Sequence, residues 1–459
     1  METKPRVRAV WVSVLGPGLR SPQEIRDMVD AARRANFNVI VAQVRRSGAT
    51  YFNSTLEPRD PILKDQPDFD PLAFLLKEAR DTTGGKKPLQ VHAWFNAFAV
   101  GSQKDLLDAK PAPLIVTHPD WFTQNATGEA QTSLDPGVPD VQDHVIALIE
   151  ECLKKYDVDG VNLDFIRYFG QDMGYNPVAL ERFHRLTGRN DTPTSRDAQW
   201  SDFRREQVTN FVRRCGVSVR TLRPDAMFSV DAVGFGRPPL KDFSDTSGYI
   251  TVFQDWAGWA ENGDVDLVLR MGYKRESVEV QARDFRGWAD FTRSVMDRSD
   301  GRLLTAGIGG YFNKQSDMLN QYREAQKRGL GTCIFSYNRP TQESSDDTSL
   351  TAHKAPAWDA IGKEIYPVWV PAPRPVWRNS RACVAGFAKD ASGKVVDGGK
   401  ITLEGAGLKT RSVNLALCDG SGFFAFVDVD PGAYTIRAAG TSVDGKKVSA
   451  GPGVVSWIR

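Results

Sequence analysis

Two hydrophobic rhythms alternate along the first three quarters of this chain. Short apolar runs rich in Val, Ile, Leu and aromatic residues occur at 8–15, 39–44, 89–95, 160–165, 227–233, 265–271, 303–308 and 331–335. Such runs, too short for a buried helix, read as buried strands. Amphipathic stretches with helical spacing follow most of them, at about 22–35, 71–84, 139–156, 202–222, 278–296 and 317–328. Their starts carry helix signals: Ser21-Pro22-Gln23-Glu24 combines an N-cap, a first-turn proline and a capping-box glutamate, and Asp70-Pro71 opens the next. Alternation of strand and helix predicts a parallel sheet, and eight repeats predict a closed (β/α)8 TIM barrel. An open doubly wound sheet is the alternative. It usually brings a glycine-rich dinucleotide turn after its first strand, and Gly16-Pro17-Gly18 lacks that spacing.

The pattern then changes. Pro367, Pro371, Pro373 and Pro375 mark a semi-rigid linker. Beyond it, short alternating runs such as Ile401-Thr402-Leu403 and Tyr434-Thr435-Ile436 are separated by Asp419-Gly420-Ser421-Gly422 and Asp430-Pro431-Gly432. These predict a small all-β antiparallel sandwich. The expected domains are a barrel over 1–366, a linker over 367–379 and a sandwich over 380–459.

Composition narrows the function. The 459 residues are 41% hydrophobic and 25% charged, with a net charge of +2. That balance offers no nucleic-acid surface and no polybasic membrane patch. No apolar run has the length of a membrane-spanning helix. The five cysteines have no zinc spacing. Cys383 and Cys418 are a pair only if their region is oxidised, and the rest read as buried thiols. No metal or other cofactor is expected, and the oligomeric state is open.

In a barrel, chemistry sits at strand C-termini. Residues 157–168 read Asp-Val-Asp-Gly-Val-Asn-Leu-Asp-Phe-Ile-Arg-Tyr. Asp164 therefore ends the fourth strand, where a carboxylate is costly unless paired or solvated. It is either a catalytic carboxylate or a rim ion pair with Arg167. The other strand ends present Trp11, Gln43 with Arg45, His92 with Trp94 and Asn96, Tyr168, Asp231, Tyr273, Tyr311 with Asn313, and Tyr337 with Asn338. Aromatic faces and amides suit the C–H faces and hydroxyls of a sugar. Two carboxylates on neighbouring strands, Asp164 and Asp231, suit glycoside hydrolysis. Each residue also has a plainer reading: His92 and Asn96 as a hydrogen-bonded layer, Trp94, Tyr273 and Tyr337 as packing, Asp231 as a turn cap, Asp255 as a helix N-cap.

Residues 7–14 and 36–45, His92-Ala93-Trp94-Phe95-Asn96, residues 159–168 and Gln254-Asp255-Trp256 together resemble the glycosyl-hydrolase-like 10 family. These are bacterial (β/α)8 barrels, often exported, some acting on peptidoglycan glycan strands stripped of peptides. The resemblance implies that Asp164 is the leading catalytic carboxylate. It also implies that Gln43, Arg45, His92, Trp94, Asn96 and Arg167 line a sugar cleft. Many members carry a second acid directly after the strand-four aspartate. Here that residue is Phe165, so a second acid has to come from elsewhere, with Asp231 as the candidate. Arg167 is expected to hold Asp164 ionised, as a nearby cation lowers a carboxylate's pKa. Val384-Ala385-Gly386 and Pro431-Gly432-Ala433-Tyr434 are similar to carboxypeptidase-regulatory-like sandwiches, which are usually structural or adhesive.

The expectation is a glycoside hydrolase acting on a bacterial polysaccharide. Its place is extracytoplasmic, periplasmic or secreted, with a leader removed from the start at Met1-Glu2-Thr3. A non-catalytic glycan-binding barrel competes with it, because a fold never proves an activity. A deacetylase or amidase is the third reading and needs a metal.

Overall fold

Eight strands form the frame: β1 (Arg8–Val12), β2 (Val39–Arg46), β3 (Gln90–Asn96), β4 (Gly160–Asp164), β5 (Met227–Val233), β6 (Leu267–Met271), β7 (Leu303–Gly309) and β8 (Gly331–Phe335). In this computed structural model, which describes residues 6–347, 351–405 and 414–458, each strand pairs in parallel with the next. β1 pairs with both β2 and β8, so the barrel is closed. All eight lie where the apolar runs predict. β1 stops at Val12, three residues early, and β2 continues two residues further.

The longer helices are α1 (Pro22–Arg34), α2 (Pro71–Arg80), α3 (Pro139–Lys155), α4 (Pro177–Thr187), α5 (Ala198–Leu222), α6 (Trp256–Glu261), α7 (Glu279–Arg298) and α8 (Gln315–Lys327). Their caps follow the sequence signals. Ser21 accepts from the Glu24 N–H at 3.2 Å and Asp70 from the Ala73 N–H at 3.0 Å. Asp255 caps α6, accepting from Gly258 N–H at 3.0 Å. No helix among the described residues is long and apolar enough to cross a membrane.

Strand alternation builds two cores. Outward residues such as Val10, Ile40, Val91, Phe95, Leu163 and Val230 pack under the helices. Inward residues Ala9, Trp11, Val39, Val41, Trp94, Leu267, Leu269 and Cys333 fill the barrel. His92 belongs to the lower part of that interior, level with Gly160. A Cβ at Gly160 would lie 2.7 Å from the imidazole, so the ring occupies the space that glycine leaves.

The C-terminal strands are β9 (Ala382–Phe387), β10 (Lys400–Glu404), β11 (Leu415–Leu417), β12 (Phe423–Val429), β13 (Gly432–Arg437), β14 (Lys447–Ala450) and β15 (Val455–Ile458). They form two sheets, β12-β9-β15 and β11-β10-β13-β14, packed over Val384, Ile401, Leu403, Phe424, Phe426, Tyr434 and Ile436. All pairs are antiparallel except β9 with β15, which is parallel. All five cysteines are buried free thiols, Cys383 and Cys418 included.

The proline-rich segment docks on the barrel. Arg378 donates to Asp266 just before β6, and to the carbonyls of Pro224 and Ala226 at 2.7 and 3.0 Å. The sandwich itself seats against α5 and α4. Arg220 donates to the Val427 carbonyl at 2.7 Å, and Arg182 pairs with Asp397 at 2.9 Å.

Candidate active site

The C-terminal ends of the strands surround a cleft of about 430 Å³. Its walls carry six aromatic rings: Trp11, Trp94, Phe165, Phe169, Tyr273 and Phe335. Trp11 meets Tyr273 edge-on at 6.2 Å, and Tyr273 lies 5.4 Å from Phe335. Gln43 and Asn96 form an amide layer: Ser13 donates to Gln43 at 3.1 Å, and Gln43 donates to Asn96 at 3.1 Å. Each amide is thereby fixed in orientation before any ligand arrives.

Asp164 and Asp231 lie in the same cleft. β4 and β5 run in register, with Asn162 opposite Ser229 and Leu163 opposite Val230. One step further, Asp164 ends β4 and Asp231 lies two residues before the end of β5, both on the inward face. Asp231 is 1% exposed and Asp164 6%. Trp11 Nε1 and Asn162 Nδ2 both donate to Asp231 Oδ1, each at 3.1 Å, and among the described residues none donates to Oδ2. Asp164 Oδ1 accepts its neighbour's backbone N–H, from Phe165, at 2.6 Å. The Trp94 indole approaches Asp164 closely enough to favour its charged form but not in hydrogen-bonding geometry.

Burial sets the charge of this pair. It raises the pKa of Asp164 above the usual carboxylate range, although Arg167 pulls the other way. Sequence reasoning expected the cation to win; removal of water from the carboxyl outweighs it. Asp231 is pushed up further, by burial and then by the negative charge of Asp164. The two carboxyls thus differ in acidity, Asp164 ionising first. Phe165, at φ 52°, turns the chain away directly after Asp164. A non-glycine residue in that region costs about 1–2 kcal/mol, a strain retained at the one residue that follows the carboxylate.

Other sequence candidates go elsewhere. Arg45 was expected in the cleft, but β2 bulges: Gln43 pairs with Trp94, and Arg45, two residues on, pairs with the next residue, Phe95. The extra residue reverses the alternation, so Arg45 faces outward and Arg46 reaches the cleft. Arg45 is fully buried against Glu57, with contacts of 2.7 and 2.6 Å, and donates to the carbonyls of Asn96 and Ala97. Glu57 is held down to about 2 by Arg45 and His144, against its burial. His92 is no mouth residue: it is 1% exposed in the barrel interior, and burial pushes it down to about 4. Tyr168 turns away to donate to Asp135 at 3.2 Å, and Tyr337 stacks on Trp358 at 5.9 Å. Asn313 is structural, donating to the carbonyls of Gly309 and Lys274 at 2.9 Å. Arg167 lies at the rim, over Phe165 at 4.6 Å and Phe169 at 5.4 Å.

Sequence reasoning missed Ser13, Leu15, Arg46, Ser47, Phe165, Phe169, Met271 and Phe335 as lining residues. Phe169 is 43% exposed, an apolar ring left at the rim. Gln254 and Trp256 also gain a role. Gln254 accepts from the Val233 N–H at 2.8 Å and donates to the Asp231 carbonyl at 3.2 Å, while Trp256 donates to the Val233 carbonyl at 3.1 Å. They brace the end of β5 that carries Asp231. Among the described residues, no three or more His, Cys, Asp or Glu side chains converge as a metal-binding group.

Comparison with known proteins bears on the family and the fold. Glycosyl hydrolase DigH of Escherichia coli K12 is 28% identical over 309 residues, covering 63% of this chain and 66% of DigH. Glycosyl hydrolase YngK of Bacillus subtilis is 26% identical over 297 residues, covering 58% of this chain and 54% of YngK. The chain thus spans just under two thirds of DigH's length and about half of YngK's. By fold it is similar to the PgaB (BpsB) glycoside hydrolase domain of Bordetella bronchiseptica, with a TM-score of 0.52 and 15% identity over 74% of this chain and 98% of that one. The catalytic domain of a Paenibacillus polymyxa β-amylase gives a TM-score of 0.52 at 10% identity, over 80% of this chain and 99% of that one. The family model Glycosyl hydrolase-like 10 matches residues 6–300, and this chain, with its barrel and its two carboxyls at the mouth, belongs to that family.

Proposed function

We propose that this protein hydrolyses glycosidic bonds in a bacterial polysaccharide, with denuded peptidoglycan glycan strands as the first substrate to try. The observation that carries the reading is the pair Asp164 and Asp231, on neighbouring strands in one aromatic cleft and raised to different degrees. Asp231, the higher of the two, acts as general acid toward the leaving oxygen, its protonated form favoured by burial and by the charge of Asp164. Asp164, the more acidic, acts as nucleophile or base. Splitting two carboxyls into an acid and a base is what glycoside hydrolysis requires. The aromatic rings offer flat apolar faces to sugar C–H groups, and Gln43 and Asn96 offer fixed amides to hydroxyls. An extracytoplasmic location goes with this substrate.

A binding-only role is the second reading. It is favoured by Phe165, which stands where the family resemblance implies a second acid. Reducing-end release from a glycan panel separates the two. The parent releases ends, and Asp164→Asn and Asp231→Asn each lose at least about a hundredfold, the usual scale of acid–base catalysis. No release from any glycan, with binding retained in all three proteins, would decide for the second reading.

A further inference from the structure

We infer that Arg46 reads an anionic substituent on the glycan, so that the cleft prefers acidic over neutral sugar chains. The inference rests on the glycan-cleaving reading and concerns the same cleft. Arg46 ends β2 and lines the cleft. It is half-buried. Among the described residues its guanidinium has no hydrogen-bond or ion-pair partner; its charge, like that of Asp60, acts on the neighbouring Tyr51 hydroxyl. Arg45, one residue earlier, is saturated by Glu57 and two carbonyls. A guanidinium presents five donors in a planar fork suited to a carboxylate.

The backbone holds Arg46 in place. Ser47 and Gly48 both have positive φ, 53° and 68°, and Arg46 pairs with Ala49 across them. That is a two-residue hairpin turn of the tight type I′ class. A Cβ at Gly48 would lie 1.9 Å from the Gln103 side chain, so the turn is packed from outside as well. The β2 bulge and this turn together aim a preset cation at the cleft.

The remaining charges do not cancel it. Neither carboxyl of the cleft, Asp164 or Asp231, forms an ion pair with Arg46 among the described residues, and Asp164 lies in the field of Arg167. Among the described residues that line the cleft Arg46 is the one cation, and a neutral oligosaccharide would leave its guanidinium without an anionic partner. A carboxylate on the sugar compensates it, whether the group belongs to the ring, as in a uronic acid, or to an ether side chain, as in muramic acid.

The test compares each acidic glycan with its own carboxyl-reduced form. A polyuronate and denuded peptidoglycan strands serve as the two sources, with the parent, Arg46→Met and Arg46→Lys as proteins. The parent should favour an acidic glycan by at least about tenfold in kcat/KM, the scale of one charge-assisted contact. Arg46→Met should lose that preference, and Arg46→Lys should restore part of it. The preference is a ratio on one protein sample, so a folding loss cancels. Preference for only one source identifies which carboxylate is read. Equal cleavage of acidic and reduced glycans by the parent, or an unchanged preference in Arg46→Met, overturns the inference. If no glycan is cleaved, the hydrolytic reading fails, and binding of the same glycan pairs to the same proteins still decides on Arg46.

Discussion

Asp231 and Asp266 lie on or beside neighbouring strands, both almost wholly buried, yet burial leaves them in opposite states. Asp266, at the floor, meets Arg378 and Arg220, the Trp377 indole at 3.2 Å and the Phe228 N–H at 2.8 Å. Its pKa is lowered despite full burial. Asp231, at the mouth, has two neutral donors on one oxygen and a second carboxyl nearby, and its pKa rises well above the usual value. Desolvation acts on both; compensation decides. The floor carboxylate ties the proline-rich segment to the barrel as a fixed charge, whereas burial at the mouth favours the protonated form of Asp231. A deficit of compensation, rather than burial, marks the candidate site.

The largest effect expected from breaking this contrast is on turnover. Asp231→Asn should lower kcat by about 10²–10⁴, the range for losing a general acid, while circular dichroism shows an intact fold. Next comes the floor. Arg378→Met leaves Asp266 buried beside a weaker partner, Arg220 at 3.8 Å, and should cost about 3–5 kcal/mol in urea unfolding. An unfolding midpoint equal to the parent's would show that the clamp is redundant.

The pH dependence sharpens the comparison. Asp231 has a raised folded pKa, so its contribution is fully present below the unfolded value of about 3.9 and is lost as pH rises through the folded value. Asp231→Asn should therefore gain stability relative to the parent as pH rises above about 4. Asp266 has a lowered folded pKa, so its contribution is present above that unfolded value and is lost as pH falls through the folded one. Asp266→Asn should be weakest near neutrality and approach the parent in acid. Unfolding curves across this range should give slopes of opposite sign, and equal slopes would dissolve the contrast. The smallest effect belongs to Trp11→Phe. It removes one neutral donor that favours ionised Asp231, worth about 1 kcal/mol. The basic limb of the pH–rate profile should move upward.

Much of this was legible in the chain. The eight apolar runs mark the barrel strands because a strand buried on both faces is almost wholly hydrophobic. Asp164, Asp231, Trp11, Gln43, Trp94, Asn96 and Tyr273 were all read from strand ends, and all seven line the cleft. Arg45, His92, Tyr168 and Tyr337 were read the same way and do not. His92 has the right alternation but the wrong depth, level with Gly160 rather than with Asp164. Tyr168 and Tyr337 follow their strands, where the chain has already turned. Phe169 and Phe335 gave no signal: Phe169 lies five residues beyond its strand, and Phe335 reads as the last apolar residue of a buried run.

By itself, then, the sequence determined the order and kind of the elements, the helix caps and the polar residues that end each strand. These follow from local periodicity and local hydrogen bonding, which neighbours in the chain settle between themselves. Tertiary structure alone decided that Arg46 rather than Arg45 faces the cleft, that Arg378 ties the proline-rich segment to Asp266, and that Asp231 is starved of cations while Asp266 is not. One residue of bulge reverses a strand's faces, and a carboxyl's charge depends on what distant strands bring beside it. Neither is a property of any local stretch of sequence.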